Sequence, residues 1–263
     1  SLQTIFQAWS KISGNMKLIQ DLLSILTLSV NEKSRSVNQC GEFKKISFVD
    51  VCFKHSNGFE VLKDVNLEIN RGDVIGIVGE TGSGKSTFVG LLSQLISPTH
   101  GQLAVINEKG SERTRENWQS SIAYVPQSPY FLDQSIIHNI SFEDDIKKID
   151  LKRIHSIIKV SQLSKVVDRL EQGVETVIGE RGAKLSGGQL QRLAVARALY
   201  ADKALIILDE ATSALDNVTE LELLQALMTE CAGKTVIFIT HRPETLKICT
   251  KIFELKNKSL VQK

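Results

Sequence analysis

One stretch limits what this chain can become more than any other: Gly79-Glu80-Thr81-Gly82-Ser83-Gly84-Lys85-Ser86, which fits the pattern G-x-x-x-x-G-K-[ST]. Before it runs Val74-Ile75-Gly76-Ile77-Val78, a short β-branched stretch that reads as a buried strand. After it, Thr87 to Ile96 places Phe88, Leu91, Leu92 and Leu95 at helical spacing. The loop therefore joins a strand to a helix N-terminus. Its glycines let backbone N–H groups turn inward around phosphate oxygens, and the helix dipole adds positive potential at the same place. Lys85 would neutralise the outer phosphates, and the Ser86 hydroxyl would hold a magnesium ion. A glycine-rich turn matching by chance has odds of roughly one in a hundred at this length. The segment implies a nucleotide site formed by Gly79, Glu80, Thr81, Gly82, Ser83, Gly84, Lys85, Ser86 and Thr87.

The 263 residues suffice for one large domain or two small ones. Lysine and arginine total 32 against 30 acidic residues, so the net charge of +2 gives no reason to expect a nucleic-acid partner. Cys40, Cys52, Cys231 and Cys249 lack C-x-x-C spacing and read as reduced thiols of a cytosolic protein. No run of 18 apolar residues is present to span a membrane, and the start has no signal-peptide pattern. The first residue is Ser1 rather than Met, as expected of a processed chain or a piece of a longer one.

Residues 1–30 carry apolar positions at helical spacing, and 31–42 read as a polar linker, with a domain boundary near residue 40. From Phe43 the pattern turns to strands: Lys45 to Phe53, then Val61 to Ile69 after a turn at Ser56-Asn57-Gly58. These suggest an antiparallel β-region, with further strands at Leu103 to Ile106 and Ser121 to Val125. Residues 128–200 read as a helical insertion, on the period of Ile154, Ile157, Ile158, Val166, Val167 and Leu170. Ala204 to Leu208 and Thr235 to Thr240 are continuous apolar runs of the kind buried on both faces, separated by a helix at about 217–230. Alternating strands and helices imply an α/β fold whose parallel sheet binds its ligand at the strands' C-terminal ends.

Two further clusters bear chemistry. Asp209 and Glu210 end an apolar strand in two carboxylates; Asp209 would approach the magnesium through water, and Glu210 would address a water beside the γ-phosphate. An extended backbone would point the two opposite ways. Leu185-Ser186-Gly187-Gly188-Gln189 opens a helix with Ser186 as N-cap, making a second phosphate cradle. One nucleotide loop needs only one cradle, so the spare suggests a nucleotide shared between two copies.

In order, GETGSGKS, YVPQ (Tyr124 to Gln127), LSGGQ, LIILDE, SALD (Ser213 to Asp216) and His241 resemble the ABC-transporter ATPase family over roughly residues 43–263. The resemblance implies a P-loop NTPase (RecA-like) core with a parallel central sheet, an antiparallel β-subdomain, and a helical insertion at about 128–200 that carries LSGGQ. ATP and Mg2+ would be the ligands. Gln127 would reach the magnesium and the attacking water, so that Ser86, Gln127 and Asp209 address the metal. Glu210 would be general base, and His241 would contact the γ-phosphate. Ser186, Gly187, Gly188 and Gln189 would close over ATP on a second ABC ATPase domain, identical or not, with Asp216 lining that interface.

Thr176 to Gly182 resembles the segment by which exporter-type members sense their transmembrane domains. That favours an exporter over an importer's separate ATPase subunit, as does the lead over residues 1–40. The resemblance then implies a transmembrane domain in the same full-length chain, a place at the cytoplasmic face of the inner membrane, and export or flipping of a substrate, with a faint likeness to saccharide flippases. DNA-repair and chromosome relatives would insert a long coiled coil between loop and signature, and no sustained heptads lie here. The family usually stacks an aromatic, often Tyr, on adenine. His55 stands there instead, with Phe53 expected on the other side, facing the core.

Overall fold

The computed structural model describes residues 43–143 and 145–263. The helical lead and linker expected over 1–40, and Cys40, lie outside the described residues.

Strand β1 (Phe43–Lys54) buries Phe43, Ile46, Phe48 and Val51 and pairs antiparallel with β2 (Glu60–Asn70) on one side and β4 (His100–Asn107) on the other. These three make a sheet in the order β2-β1-β4. The second sheet has the order β5-β6-β7-β3-β8-β9, from β5 (Ile122–Val125), β6 (Leu205–Asp209), β7 (Thr235–Ile239), β3 (Val74–Val78), β8 (Lys251–Lys256) and β9 (Ser259–Gln262). Its pairs are parallel except β8 with β9. The fold is thus α/β, with a parallel central sheet and antiparallel strands beside it.

The period of two along the central strands divides the core in two. Ile75, Ile77, Leu205, Ile207, Ile237 and Ile239 point to one face, where Phe88, Leu91 and Leu92 of helix α1 (Lys85–Leu92) and the antiparallel sheet cover them. Val74, Ile206, Leu208, Val236 and Phe238 point to the other, under Leu193, Leu223 and Leu227 of the later helices. Both faces are dry, which explains why these strands are continuous apolar runs.

Between β5 and β6 the named elements are helical: α2 (Arg115–Gln119) precedes β5, then come α3 (Ile136–Ser141), α4 (Leu151–Val160), α5 (Ser164–Val167) and α6 (Gly187–Tyr200). Helices α7 (Asn217–Glu230) and α8 (Pro243–Lys247) flank β7. The sequence reading missed α2, α8, β8 and β9, all short or amphipathic without a distinct turn signal.

Three expectations need correction. The helix after the phosphate loop ends at Leu92, not Ile96, because Gln94 adopts a left-handed conformation (φ 54°) and the Leu95 and Ile96 N–H groups turn back to the Gly90 carbonyl. Leu95 is left exposed and does not continue the apolar stripe. Glu210 is not extended: its φ is 49°, so a left-handed turn, rather than the pleat, separates its side chain from that of Asp209. Phe53 packs against the core as expected, but His55, just past the end of β1, is not on the opposite side: the two rings meet edge to face with centroids 5.2 Å apart.

Candidate active site

The phosphate loop leaves the C-terminal end of β3 between two neighbours that bind its backbone: β7 and β8. Gly79 is required by crowding, since a Cβ there would come within 2.8 Å of the Leu255 carbonyl oxygen and of Ser83 Oγ. Gly82 and Gly84 have φ of 80° and 109°, which only glycine adopts without strain. Lys85 folds over the loop, its ammonium donating to the carbonyls of Gly79 at 2.5 Å and Glu80 at 2.9 Å. An ammonium has three protons, so one remains for a ligand. Ser83 Oγ is buried without a partner inside the same loop, an unsatisfied polar atom where a phosphate oxygen would supply one.

The ends of adjacent strands are laced together. Thr240 N–H donates to Ile77 O at 3.2 Å, and Glu210 N–H to Ile239 O at 2.8 Å. Loop, carboxylates and His241 thereby share one edge of the sheet. His241 is exposed there, one residue past Thr240. Gln127 Nε2 donates to Glu210 Oε2 at 2.7 Å, and Tyr124 Oη donates to Asp209 Oδ2 at 3.0 Å. Burial raises the Asp209 carboxyl above its ordinary value and the charge of Glu210 adds to that, while the Tyr124 hydrogen bond and Lys85 oppose it. Burial, with Asp209 beside it, raises the Tyr124 phenol.

Ser86, Gln127 and Asp209 offer a hydroxyl, an amide and one carboxylate, hard oxygen donors of the type magnesium takes when phosphates complete its shell. Among the described residues no group of three or more His, Cys, Asp or Glu is placed to hold a metal ion, and this trio contains only one such residue.

The signature segment has its own geometry. Ser186 accepts from Gln189 N–H while the Gln189 side chain accepts from Ser186 N–H, a reciprocal cap on α6. Gly188 lies against the turn before α7: a Cβ there would come within 3.0 Å of Ala214 O. Asp216 caps α7, taking Val218 and Thr219 N–H and the Thr219 hydroxyl, and those bonds hold its carboxyl below the usual range.

Three residues that the sequence reading gave no role tie these parts together. Gln191 donates to Ser213 Oγ at 2.8 Å and Glu210 O at 3.3 Å, and accepts from Ala214 N–H at 2.8 Å. It thus supports the left-handed Glu210 from the signature helix. Arg242, next to His241, donates to the carbonyls of Ser213 and Leu215, both at 2.9 Å, and to Glu220 Oε2 at 2.5 Å. Glu220 is 1% exposed and also accepts from Thr212 and Thr245 hydroxyls. The only signal in the sequence was position: each lies within four residues of a motif.

Comparison with known proteins identifies the family. The family model described as ABC transporter matches residues 62–213. An ATP-dependent lipid A-core flippase of Ralstonia nicotianae is 36% identical over 219 residues, 82% of this chain and 37% of its own length. The leukotoxin translocation ATP-binding protein LktB of Mannheimia haemolytica is 35% identical over 264 residues, 99% of this chain and 36% of its own. A bacterial Atm1-family ABC exporter solved with ATP bound superposes with a TM-score of 0.77 at 30% identity, covering 84% of this chain and 39% of that one. The chain therefore spans less than half the length of these relatives. The match of the ABC transporter family model to residues 62–213, with relatives at 35–36% identity over most of this chain, places it in the ABC transporter family, as its ATP-binding domain.

Proposed function

We propose that the chain hydrolyses ATP as one half of a head-to-tail pair of such domains and drives export or flipping of a substrate across a membrane. The carrying observation is the Gln127–Glu210 bond of 2.7 Å beside the phosphate loop. In this reading the bond orients the Glu210 carboxylate to take a proton from an attacking water.

In this reading, Lys85 and the loop N–H groups of Gly79 to Thr87 hold the phosphates. Glu210 takes one proton of a water as its oxygen bonds to the γ-phosphorus; the bond from that phosphorus to the ADP oxygen breaks, and ADP and phosphate leave. His241 contacts the γ-phosphate. Ser86, Gln127 and Asp209 would hold Mg2+, which when bound neutralises charge on the phosphate oxygens. Ser186, Gly187, Gly188 and Gln189 face the ATP of the second copy, with Asp216 at the seam.

An apolar rim supports a membrane-domain partner. Tyr130, Leu132, Phe142 and Val177 are exposed, and Arg197 of α6 stacks between the Phe131 and Phe142 rings at 4.6 and 4.4 Å. The signature helix thus carries the surface a partner would press on. Among the described residues no helix is long and apolar enough to cross a membrane. The flippase, translocation and exporter names of the longer relatives support a transmembrane domain in the full-length protein, with this domain on its cytoplasmic side.

Two measurements test the reading. Phosphate release by the isolated chain is expected to rise with the square of protein concentration at low concentration. A rate per chain independent of concentration would exclude the shared site. At the adenine end, His55→Ala is expected to weaken ATP binding several-fold, as removal of a stacking ring costs about 1 kcal/mol or more, and His55→Tyr to tighten it. Equal affinities for all three proteins would remove His55 from the site.

A further inference from the structure

We propose that Tyr124 is a positioning residue for the metal: its hydroxyl fixes the Asp209 carboxylate in the orientation that receives the magnesium ion. The inference rests on the reading of Asp209 given above.

A carboxylate at a strand end is a loose rotor, because its terminal torsion is broad and two-fold. At Asp209 the neighbouring strand removes that freedom. In the β5–β6 pair, Ile122 is opposite Leu205 and Tyr124 opposite Ile207. Partners across a pair point to the same face, and the period of two puts Asp209 on that face as well. Tyr124 Oη reaches forward one step and donates to Oδ2 at 3.0 Å, and among the described residues none donates to Oδ1. Three residues on, Gln127 makes the equivalent bond to Glu210. The edge strand β5 and its outgoing loop therefore clamp both carboxylates at the end of β6 through two side-chain bonds.

Tyr124 belongs to neither buried core cluster, and its hydroxyl is the part with a defined partner. Tyr124→Phe removes only that atom. A partner that orients a metal-binding group typically changes metal affinity by about 10- to 100-fold when lost.

The test is Mn2+ binding, followed by electron paramagnetic resonance, to the 263-residue chain with the non-hydrolysable analogue adenylyl imidodiphosphate. Tyr124→Phe is expected to raise the Mn2+ dissociation constant about tenfold, while metal-free affinity for the analogue and the thermal midpoint stay unchanged. Asp209→Asn should weaken Mn2+ further, and adding Tyr124→Phe to it should cost nothing more. Wild-type Mn2+ affinity in Tyr124→Phe, an equal loss of metal-free analogue binding, or additive losses in the double variant would overturn the assignment. Full Mn2+ affinity in Asp209→Asn would instead overturn the parent reading of Asp209.

Discussion

Glu210→Gln will keep ATP bound and stop turnover. The substitution preserves shape, and the amide oxygen can still accept the hydrogen bond from Gln127 Nε2. What it removes is the capacity to take a proton, and a positioned general base is worth about 10²- to 10⁴-fold in rate. The backbone should tolerate it, because the left-handed turn at φ 49° is held by main-chain bonds to Ile239 and Ser213 and by the Gln191 side chain. None of these depends on the carboxylate. ATP affinity by equilibrium dialysis should stay near wild type, and gel filtration with ATP should show an accumulated dimer, since closure proceeds and reopening does not. An active Glu210→Gln protein would remove Glu210 from the chemistry.

Arg242→Ala will cost the most stability of any single polar replacement in this site. It strands Glu220, 1% exposed, without the guanidinium that balances its charge. Removing one partner of a buried ion pair costs about 3–5 kcal/mol, most of it the penalty of an uncompensated buried charge. It also frees the carbonyls of Ser213 and Leu215, so the turn that carries Asp216 loses its tie to the His241 segment. Urea denaturation should show a lower midpoint with unchanged slope. Replacing Glu220 as well, in Glu220→Leu with Arg242→Ala, should recover part of the loss. If the single variant unfolds at the wild-type midpoint, the pair carries no stability.

The two outcomes separate chemistry from scaffold. Glu210 reports whether water is activated; Arg242 reports whether the turns around it are held. The Tyr124 and His55 variants divide the ligand in the same way, into its metal-bound and adenine ends.

Much of this molecule was legible in advance because its strongest signals are local. The phosphate loop needs Gly79 where a Cβ would strike Ser83 and needs positive φ at Gly82 and Gly84, so the requirement is visible in eight consecutive letters. The central strands are near-continuous apolar runs because both faces are covered, and the Ser186 and Asp216 caps act within three residues of themselves. Side-chain encounters between distant segments were not legible. Tyr124 and Asp209 are 85 residues apart, and Gln191 and Glu210 are 19 apart. Nothing in either local pattern says that two parallel strands will bring the first pair to one face, or that a helix will pass close enough for an amide to brace a left-handed glutamate. Glycine spacing, strand runs and caps belong to the sequence alone, because they satisfy backbone geometry where they stand. The orientation of each carboxylate belongs to the tertiary structure, because its hydrogen-bond donors arrive from other strands and helices only when the sheet is assembled.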